Sequence, residues 1–346
     1  MAKMWHERRY GRVMMLTAAF MVTMMLAGGV SFAGDGAITA EQLRDVATFS
    51  IVARDSVNGE LGVAVASRFF AVGSVVPWAK AGIGAVATQS YANTTFGPRG
   101  LDLLDAGATP EQAMAVLIGS DDHPERRQVG IIDAAGNSAT YTGAECLSWA
   151  GGRKGPNYAV QGNILAGEAV VAGMEKAFLE TKGTLADRLY AALLAAEANG
   201  GDARGKQSAA ILVVKDGAGY GGYTDRAIDI RVDDSPEPFK EIGRILVIAQ
   251  MNYAWNDAWT LFTQRKYAEA LPPMEHAAQL APENGEVFYD LAVIRLAAGE
   301  REKAMEALKN AIKFNPKLAQ SAATDEDLSA FRGDPEFEKL VGSSEK

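Results

Sequence analysis

The 346-residue sequence predicts an α+β architecture: two sheets held between layers of helices, then an all-helical domain. Three observations carry that expectation. Thr48-Phe49-Ser50-Ile51-Val52-Ala53 alternates as a strand does, with Phe49, Ile51 and Ala53 on one face and Thr48, Ser50 and Val52 on the other. Downstream the order is strands, two helices, strands, two helices, strands, which fits a sandwich of two sheets between helix layers. After Pro236 and Pro238 the texture changes. Ala258, Ala270, Met274, Ala277 and Pro282 recur as Ala292, Ala304, Leu308, Ala311 and Pro316, a constant offset of 34 residues.

The first hairpin organises the chain. Residues 55–60 hold Asn58-Gly59, a pair suited to the positive backbone dihedrals of a hairpin turn, and residues 61–66 form the returning strand. Both strands are rich in small and β-branched residues, which suits the buried middle of a sheet. A hydroxyl residue, Thr48, heads this buried hairpin. Residues 78–80 and 82–89 form a second apolar pair, and Gly97-Pro98-Arg99-Gly100 reads as a turn. Leu101, Leu103 and Leu104 then open a helix that stops at Gly107. Thr109-Pro110-Glu111-Gln112 starts the next helix with a cap, a first-turn proline and a capping-box glutamine. Residues 127–132 and 137–142 read as paired strands, and 158–161 as a short strand entering a loop at Gln161-Gly162-Asn163. Helices over 168–181 and 185–199 and strands over 208–215 and 228–232 complete this part.

The expected domains are a signal at 1–33, a polar lead at 34–47, the sandwich at 48–236, a linker at 237–250 and the repeats at 251–342. Lys3, Arg8, Arg9 and Arg12 precede an uncharged apolar run over 13–30 and then Ser31-Phe32-Ala33, the pattern of a secretory signal. Export to the periplasm or medium is the expectation, with an uncleaved membrane anchor as the alternative. Setting residues 1–33 aside removes four basic side chains and one acidic one, leaving 30 against 42 and a net charge of −12. That balance argues against nucleic acid and anionic lipid as partners. Cys146 is the only cysteine, so no internal disulfide is available, and His123 and His276 alone cannot build a histidine-rich metal site. No cofactor is expected.

Thirty-four residues is the tetratricopeptide period, with small residues where paired helices touch and proline ending each second helix. Two repeats are marginal alone, so 325–341 is expected to cap them, and a protein partner in their groove is expected. Tyr253, Trp255, Trp259 and Phe262 near their start are expected to pack at the junction between domains.

Thr48-Phe49-Ser50-Ile51-Val52-Ala53-Arg54-Asp55, Ala66-Ser67-Arg68-Phe69-Phe70, Gly84-Ala85-Val86-Ala87-Thr88-Gln89, Thr142-Gly143-Ala144-Glu145-Cys146, Gln161-Gly162-Asn163-Ile164-Leu165-Ala166-Gly167 and Arg204-Gly205-Lys206-Gln207-Ser208-Ala209-Ala210 closely resemble the domain of unknown function 1028 family. The resemblance covers residues 48–234. It implies a fold similar to N-terminal nucleophile hydrolases, the four-layer αββα class that includes proteasome β subunits. A more distant resemblance to the proteasome β subunit puts Thr48 in the nucleophile's place. It also makes Ala66-Ser67-Arg68 the counterpart of an alanine-aspartate-serine-arginine motif that here lacks its aspartate. Lys80 stands where the lysine is expected, and Asp202 and Ser208 resemble the distal pair.

The chemistry so implied is acyl transfer to a threonine hydroxyl from a small amide or peptide-like substrate. A free α-amino group, with a pKa of about 8, can accept the hydroxyl's proton at neutral pH. Lys80 would favour the ionised hydroxyl and the neutral amine. Backbone N–H groups of Gln161-Gly162-Asn163, or the Asn163 amide, would hold the oxyanion, with Gln89 as a further contact. Residues 34–47 ahead of Thr48 would block that amine unless the chain is cut before Thr48. The alternative is a non-catalytic binding or scaffold protein on the same fold. A homo-oligomer stays open.

Overall fold

The computed structural model describes residues 48–342. The expected signal and lead lie outside the described residues.

Among the described residues ten strands make two antiparallel sheets. β1 (Thr48–Arg54) and β2 (Leu61–Ser67) form the expected hairpin, closed by Gly59 at φ 78° and by Asp55 Oδ1, which accepts from the N–H groups of Val57 and Asn58. β3 (Pro77–Lys80), β4 (Gly84–Ser90), β5 (Arg127–Asp133) and β6 (Ser138–Thr142) make a four-stranded sheet in chain order. β7 (Gly151–Gly155), β8 (Tyr158–Asn163), β9 (Ser208–Val214) and β10 (Arg226–Val232) join β1 and β2 in a six-stranded sheet, order β10-β9-β2-β1-β8-β7. β1 is therefore central and buried on both faces.

α1 (Phe96–Asp105) and α2 (Pro110–Gly119) cover the four-stranded sheet, where Phe96, Leu101, Met114 and Leu117 meet Val86, Val129 and Ile131. α3 (Glu168–Glu180) and α4 (Leu185–Ala198) cover the six-stranded sheet, where Val170, Met174, Phe178, Leu189 and Leu193 meet Phe49, Ile51 and Ala64. Between the sheets, Val52, Val63, Val65, Ala85, Ala87 and Ile132 form a third apolar cluster. The four layers follow from strand alternation: odd-numbered residues of β1 face helices and even-numbered ones face the other sheet. The capping box at Thr109 and Gln112 forms as expected.

The structure corrects several expectations. Gly97-Pro98-Arg99-Gly100 is the first turn of α1 rather than a turn before it. Proline is tolerated there because the N–H it lacks would have no helical partner, and a Cβ at Gly97 would lie 2.2 Å from the Trp78 ring, so glycine lets the helix start seat on β3. β7, Gly-Gly-Arg-Lys-Gly, carries little strand propensity and was not expected. It exists as an edge because β8 offers it a full ladder, and because Gly151 and Gly152 make room for Trp149 and Thr140.

The third correction concerns 237–250. That expected linker is the first half of α5 (Pro238–Thr263), an unbroken helix of 26 residues. Phe239, Ile242 and Leu246 belong to the core of the six-stranded sheet, and the Phe239 ring stacks on Phe49 with centroids 6.3 Å apart. Gln250 donates to Thr184 Oγ1 and Asp187 Oδ1, tying α5 to the N-terminus of α4. Its second half is the first helix of the repeats.

α6 (Tyr267–Leu280), α7 (Gly285–Ala297) and α8 (Arg301–Phe314) complete two helix pairs, and α9 (Leu318–Thr324), a 3₁₀ turn (Glu326–Phe331) and α10 (Pro335–Gly342) close the stack. Ala258, Ala270, Met274 and Ala277, with their counterparts Ala292, Ala304, Leu308 and Ala311, are fully buried, as small contact residues must be where helices touch. Trp255 and Trp259 both donate their indole N–H to the Asp290 carboxylate, at 2.7 and 2.6 Å, so they pack within the repeats rather than at the junction. Tyr253 is the junction residue, its hydroxyl donating to Glu60 Oε1 at 3.2 Å. Among the described residues no helix is long and apolar enough to cross a membrane.

Two outcomes are expected from this packing. Phe239→Ala removes a ring from the sheet core, so it should destabilise the unfolding transition of the sheet domain by about 3–5 kcal/mol; a loose linker residue would give almost no change in denaturant midpoint. Burial raises the Glu60 carboxyl above its ordinary value. Its folded-state pKa therefore exceeds the unfolded one, so the stability it contributes is full below the unfolded pKa and declines as pH rises through the folded value. Glu60→Gln should flatten that decline in a pH series of melting temperatures while keeping an acceptor for Tyr253.

Candidate functional site

The antiparallel register brings polar residues into a row at one end of the six-stranded sheet. Thr48 pairs with Ser67 on β2 and with Asn163 on β8, and Ser67 pairs with Ser208 on β9. Ser208, Ser67, Thr48 and Asn163 thus cross four adjacent strands on the face turned to the other sheet, each 2% exposed or less. One step inward along the strands lie Ser50 and Gln161, also paired. Facing them, Gln89 on β4 pairs with Gln128 on β5, which pairs with Thr142 on β6.

The two sheets are joined here by a directed chain of hydrogen bonds. The Thr140 hydroxyl donates to Gln161 Oε1 at 3.3 Å, Gln161 Nε2 to Ser50 Oγ at 2.7 Å, Ser50 Oγ to Gln89 Oε1 at 2.6 Å, and Gln89 Nε2 to Gln128 Oε1 at 2.8 Å. Gln128 Nε2 ends it at the Gly162 carbonyl, 2.7 Å, and at Thr142 Oγ1, 3.0 Å. Thr48 is bound to this chain through its carbonyl, which accepts from Gln89 Nε2 at 3.3 Å, while its hydroxyl donates to Ser67 Oγ at 3.2 Å. Asn163 Nδ2 donates to Gln128 Oε1 at 2.8 Å. All these side chains are uncharged, as burial without counter-charge requires.

Charge begins at the rim. The Asp202 carboxylate accepts from the Arg68 N–H and the Arg204 N–H, both at 2.9 Å, and from the Arg204 guanidinium. Arg68 is exposed and donates from its guanidinium to the Arg204 carbonyl at 2.6 Å. Ser208 donates to the Phe69 carbonyl and accepts from the Val72 N–H. Arg68, Asp202 and Ser208 therefore fix the segment that follows β2, their polar atoms acting on backbone groups and, for Asp202, on the Arg204 guanidinium.

Lys80 is elsewhere. It pairs across from Gly84, five residues along β4 from Gln89, or roughly 17 Å at strand rise. Exposed, it forms an ion pair with Asp105 at 2.5 Å that holds its ammonium above the ordinary lysine range. The structure does not bring it to Thr48. Gln161, Gly162 and Asn163 also differ from expectation, being strand rather than loop. Gly162 lies between β1 and β7, so its backbone is engaged in the ladders, and a Cβ there would meet Leu165 at 2.5 Å on the helix-facing side. Ser50 and Gln128 are site members that the sequence reading did not single out, and Ser67 entered it only within the Ala66-Ser67-Arg68 motif. A signal existed: Ser50 shares the Thr48 face two residues on, and Gln128 directly precedes the apolar run of its strand.

Two non-glycine residues with positive φ border the site. Ile164, directly after Asn163, has φ 51°, and Ser90, directly after Gln89, has φ 65°. For a β-branched residue that conformation is an outlier costing on the order of 1–3 kcal/mol, the kind of strain that clusters at functional sites. Among the described residues no group of three or more His, Cys, Asp or Glu is placed to hold a metal ion.

Comparison with known proteins agrees with this geometry in extent. Residues 48–242 match the model of a family of unknown function, DUF1028, and residues 261–324 match a tetratricopeptide repeat model. The family match thus runs into α5, past the proline break. The crystal structure of protein SPO2555 from Silicibacter pomeroyi, which carries the DUF1028 family model, aligns with TM-score 0.55 at 30% identity, covering 59% of this chain and 86% of that one. No curated protein matches the chain.

Gly130 faces this network, and a Cβ there would lie 2.3 Å from Gln161 Oε1. Gly130→Ala should push Gln161 off Ser50 and Thr140, lowering stability by about 1–3 kcal/mol as overpacking of a closed interior does. Urea unfolding measures it, and an unchanged midpoint would mean that the Gln161 position is not fixed by the network.

Proposed function

The chain belongs to the DUF1028 family and carries tetratricopeptide repeats, and from that premise we propose an exported amide-bond hydrolase whose nucleophile is the Thr48 hydroxyl. One observation supports this above the others. Thr48 heads the central strand with its hydroxyl in the middle of a buried polar row, beside two strained backbone positions. A strand threonine placed for packing alone needs neither.

No side chain within that row can act as a base, since its members are hydroxyls and amides. The base is the α-amino group of Thr48, freed when the bond between residues 47 and 48 is cut. The hydroxyl oxygen attacks the substrate's carbonyl carbon, and its proton passes to the amine. Collapse of the tetrahedral intermediate breaks the C–N bond, the leaving amine takes that proton, and an ester to Thr48 Oγ1 remains. Water, deprotonated by the same amine, hydrolyses the ester. Ser67, which accepts from the Thr48 hydroxyl, orients it. Lys80 has no part in this scheme. Tetratricopeptide repeats are protein-interaction modules, and here they would dock a protein partner while the sheet domain takes a small amide or peptide-like substrate. The position of Lys80 favours a second reading, a binding protein on a hydrolase-like fold, because the ammonium expected beside Thr48 is paired with Asp105 instead and does not lower the pKa values there.

N-terminal sequencing of protein recovered from its native compartment should find chains beginning at Thr48. On a panel of small amides, N-acyl amino acids and short peptides, Thr48→Ser should keep substantial turnover, whereas Thr48→Ala should lose at least about a thousandfold with melting temperature nearly unchanged. Turnover by Thr48→Ala at the parent rate would sink the nucleophile assignment and leave the binding reading.

A further inference from the structure

Most acceptors around Thr48 are already engaged. Gln128 Oε1 receives two donors, from Gln89 and Asn163. Gln89 Oε1 receives Ser50, Gln161 Oε1 receives Thr140, the Thr48 carbonyl receives Gln89, and Ser67 receives the Thr48 hydroxyl. Asn163 is different. Its Nδ2 is directed to Gln128, and its Oδ1, in a residue 1% exposed, has no hydrogen-bond partner among the described residues. A buried acceptor left so is rare and destabilising. Asn163 is the cross-strand partner of Thr48 on the same face, which puts their Cβ atoms about 4.5–5.5 Å apart. The Thr48 nitrogen lies two bonds from its own Cβ, as Oδ1 does from the Asn163 Cβ, so the two atoms are within reach of each other.

We propose that Asn163 is the positioning residue that receives the α-amino group of Thr48 once the chain is opened before residue 48. The proposal rests on the reading of Thr48 as nucleophile. In the intact chain the Thr48 nitrogen carries a single N–H. Opening the chain gives that nitrogen further N–H donors without needing any new cavity, and the acceptor already stands across the strand. Asn163 then fixes the direction of the amine, leaving its lone pair for the Thr48 hydroxyl. This differs from holding an oxyanion, because the amide's N–H side is turned to Gln128. A carbonyl acceptor favours the ammonium form, so Asn163 also sets the pH at which the amine becomes a base.

The test titrates the amine itself. A site-specific protease exposes Thr48, and acylation of its α-amine by acetic anhydride is followed by mass spectrometry across pH in the parent, Asn163→Ala and Asn163→Asp proteins. Relative to the parent, the pKa should fall by about half a unit or more in Asn163→Ala, which loses the acceptor, and rise by a similar amount in Asn163→Asp, which charges it. A residue that merely supports the fold would leave the pKa unmoved or shift both variants the same way, and either result overturns the proposal. If a variant does not fold, the parent alone decides. A chain starting at Thr48 should melt higher than one starting at Ala47, whose amine is one residue removed, and equal melting overturns the proposal. Failure of the nucleophile reading shows separately, as hydrolysis retained by Thr48→Ala.

Discussion

Two sheets that bury polar side chains against each other hold together only if every amide is turned the right way. From Thr140 to Gly162 the donors and acceptors run head to tail through Gln161, Ser50, Gln89 and Gln128, crossing between the sheets at the steps from Thr140 to Gln161, from Ser50 to Gln89 and from Gln128 to Gly162. Inverting one amide would set donor against donor, and an unmatched buried polar group costs about 1–3 kcal/mol. The network therefore fixes the spacing and register of the sheets at the Thr48 end more tightly than the apolar cluster of Val52, Val63 and Ile132 fixes the rest. Gly130 is small because Gln161 needs its space. Strain at Ser90 and Ile164 falls just outside the amides whose positions the network dictates.

That arrangement also limits the chemistry available. An interior of hydroxyls and carboxamides can orient and donate but cannot accept a proton at neutral pH, so a base has to come from outside the network; on the proposed reading it is the α-amine that opening the chain before Thr48 would free. Lys80, the residue that would have supplied positive charge, is held at the far end of its sheet by Asp105. Asp202, a carboxylate at the rim, closes the loops that carry Arg68 and Arg204.

α5 ties the catalytic candidate to the repeats in a physical sense. Its first half supplies Phe239, Ile242 and Leu246 to the core beneath β1, with Phe239 stacked on Phe49, the neighbour of Thr48. Its second half supplies Ala258, Trp255 and Trp259 to the repeat core. An unbroken helix transmits position along its length because each residue is bonded to the next turn, so the sheet domain and the repeats share one element rather than a hinge.

The sequence alone determined what depends on near neighbours. The β1 and β2 hairpin follows from alternation and Asn58-Gly59, the start of α2 from the Thr109 capping box, and the repeats from buried small residues spaced by 34. Thr48 at the head of the central strand was legible for the same reason, as were Gln89, Gln161 and Asn163 from the family resemblance. Tertiary structure decided the rest. Ser50 and Gln89 are 39 residues apart and Gln161 and Ser50 are 111 apart, so their bonds leave no periodic trace in the chain. β7 became a strand only because β8 offered it an edge, and residues 237–250 became helix only because a core stood ready for Phe239 and Ile242. Lys80 was misplaced by analogy, since the distance along β4 that separates it from Gln89 is set by pairing register, which no local pattern encodes.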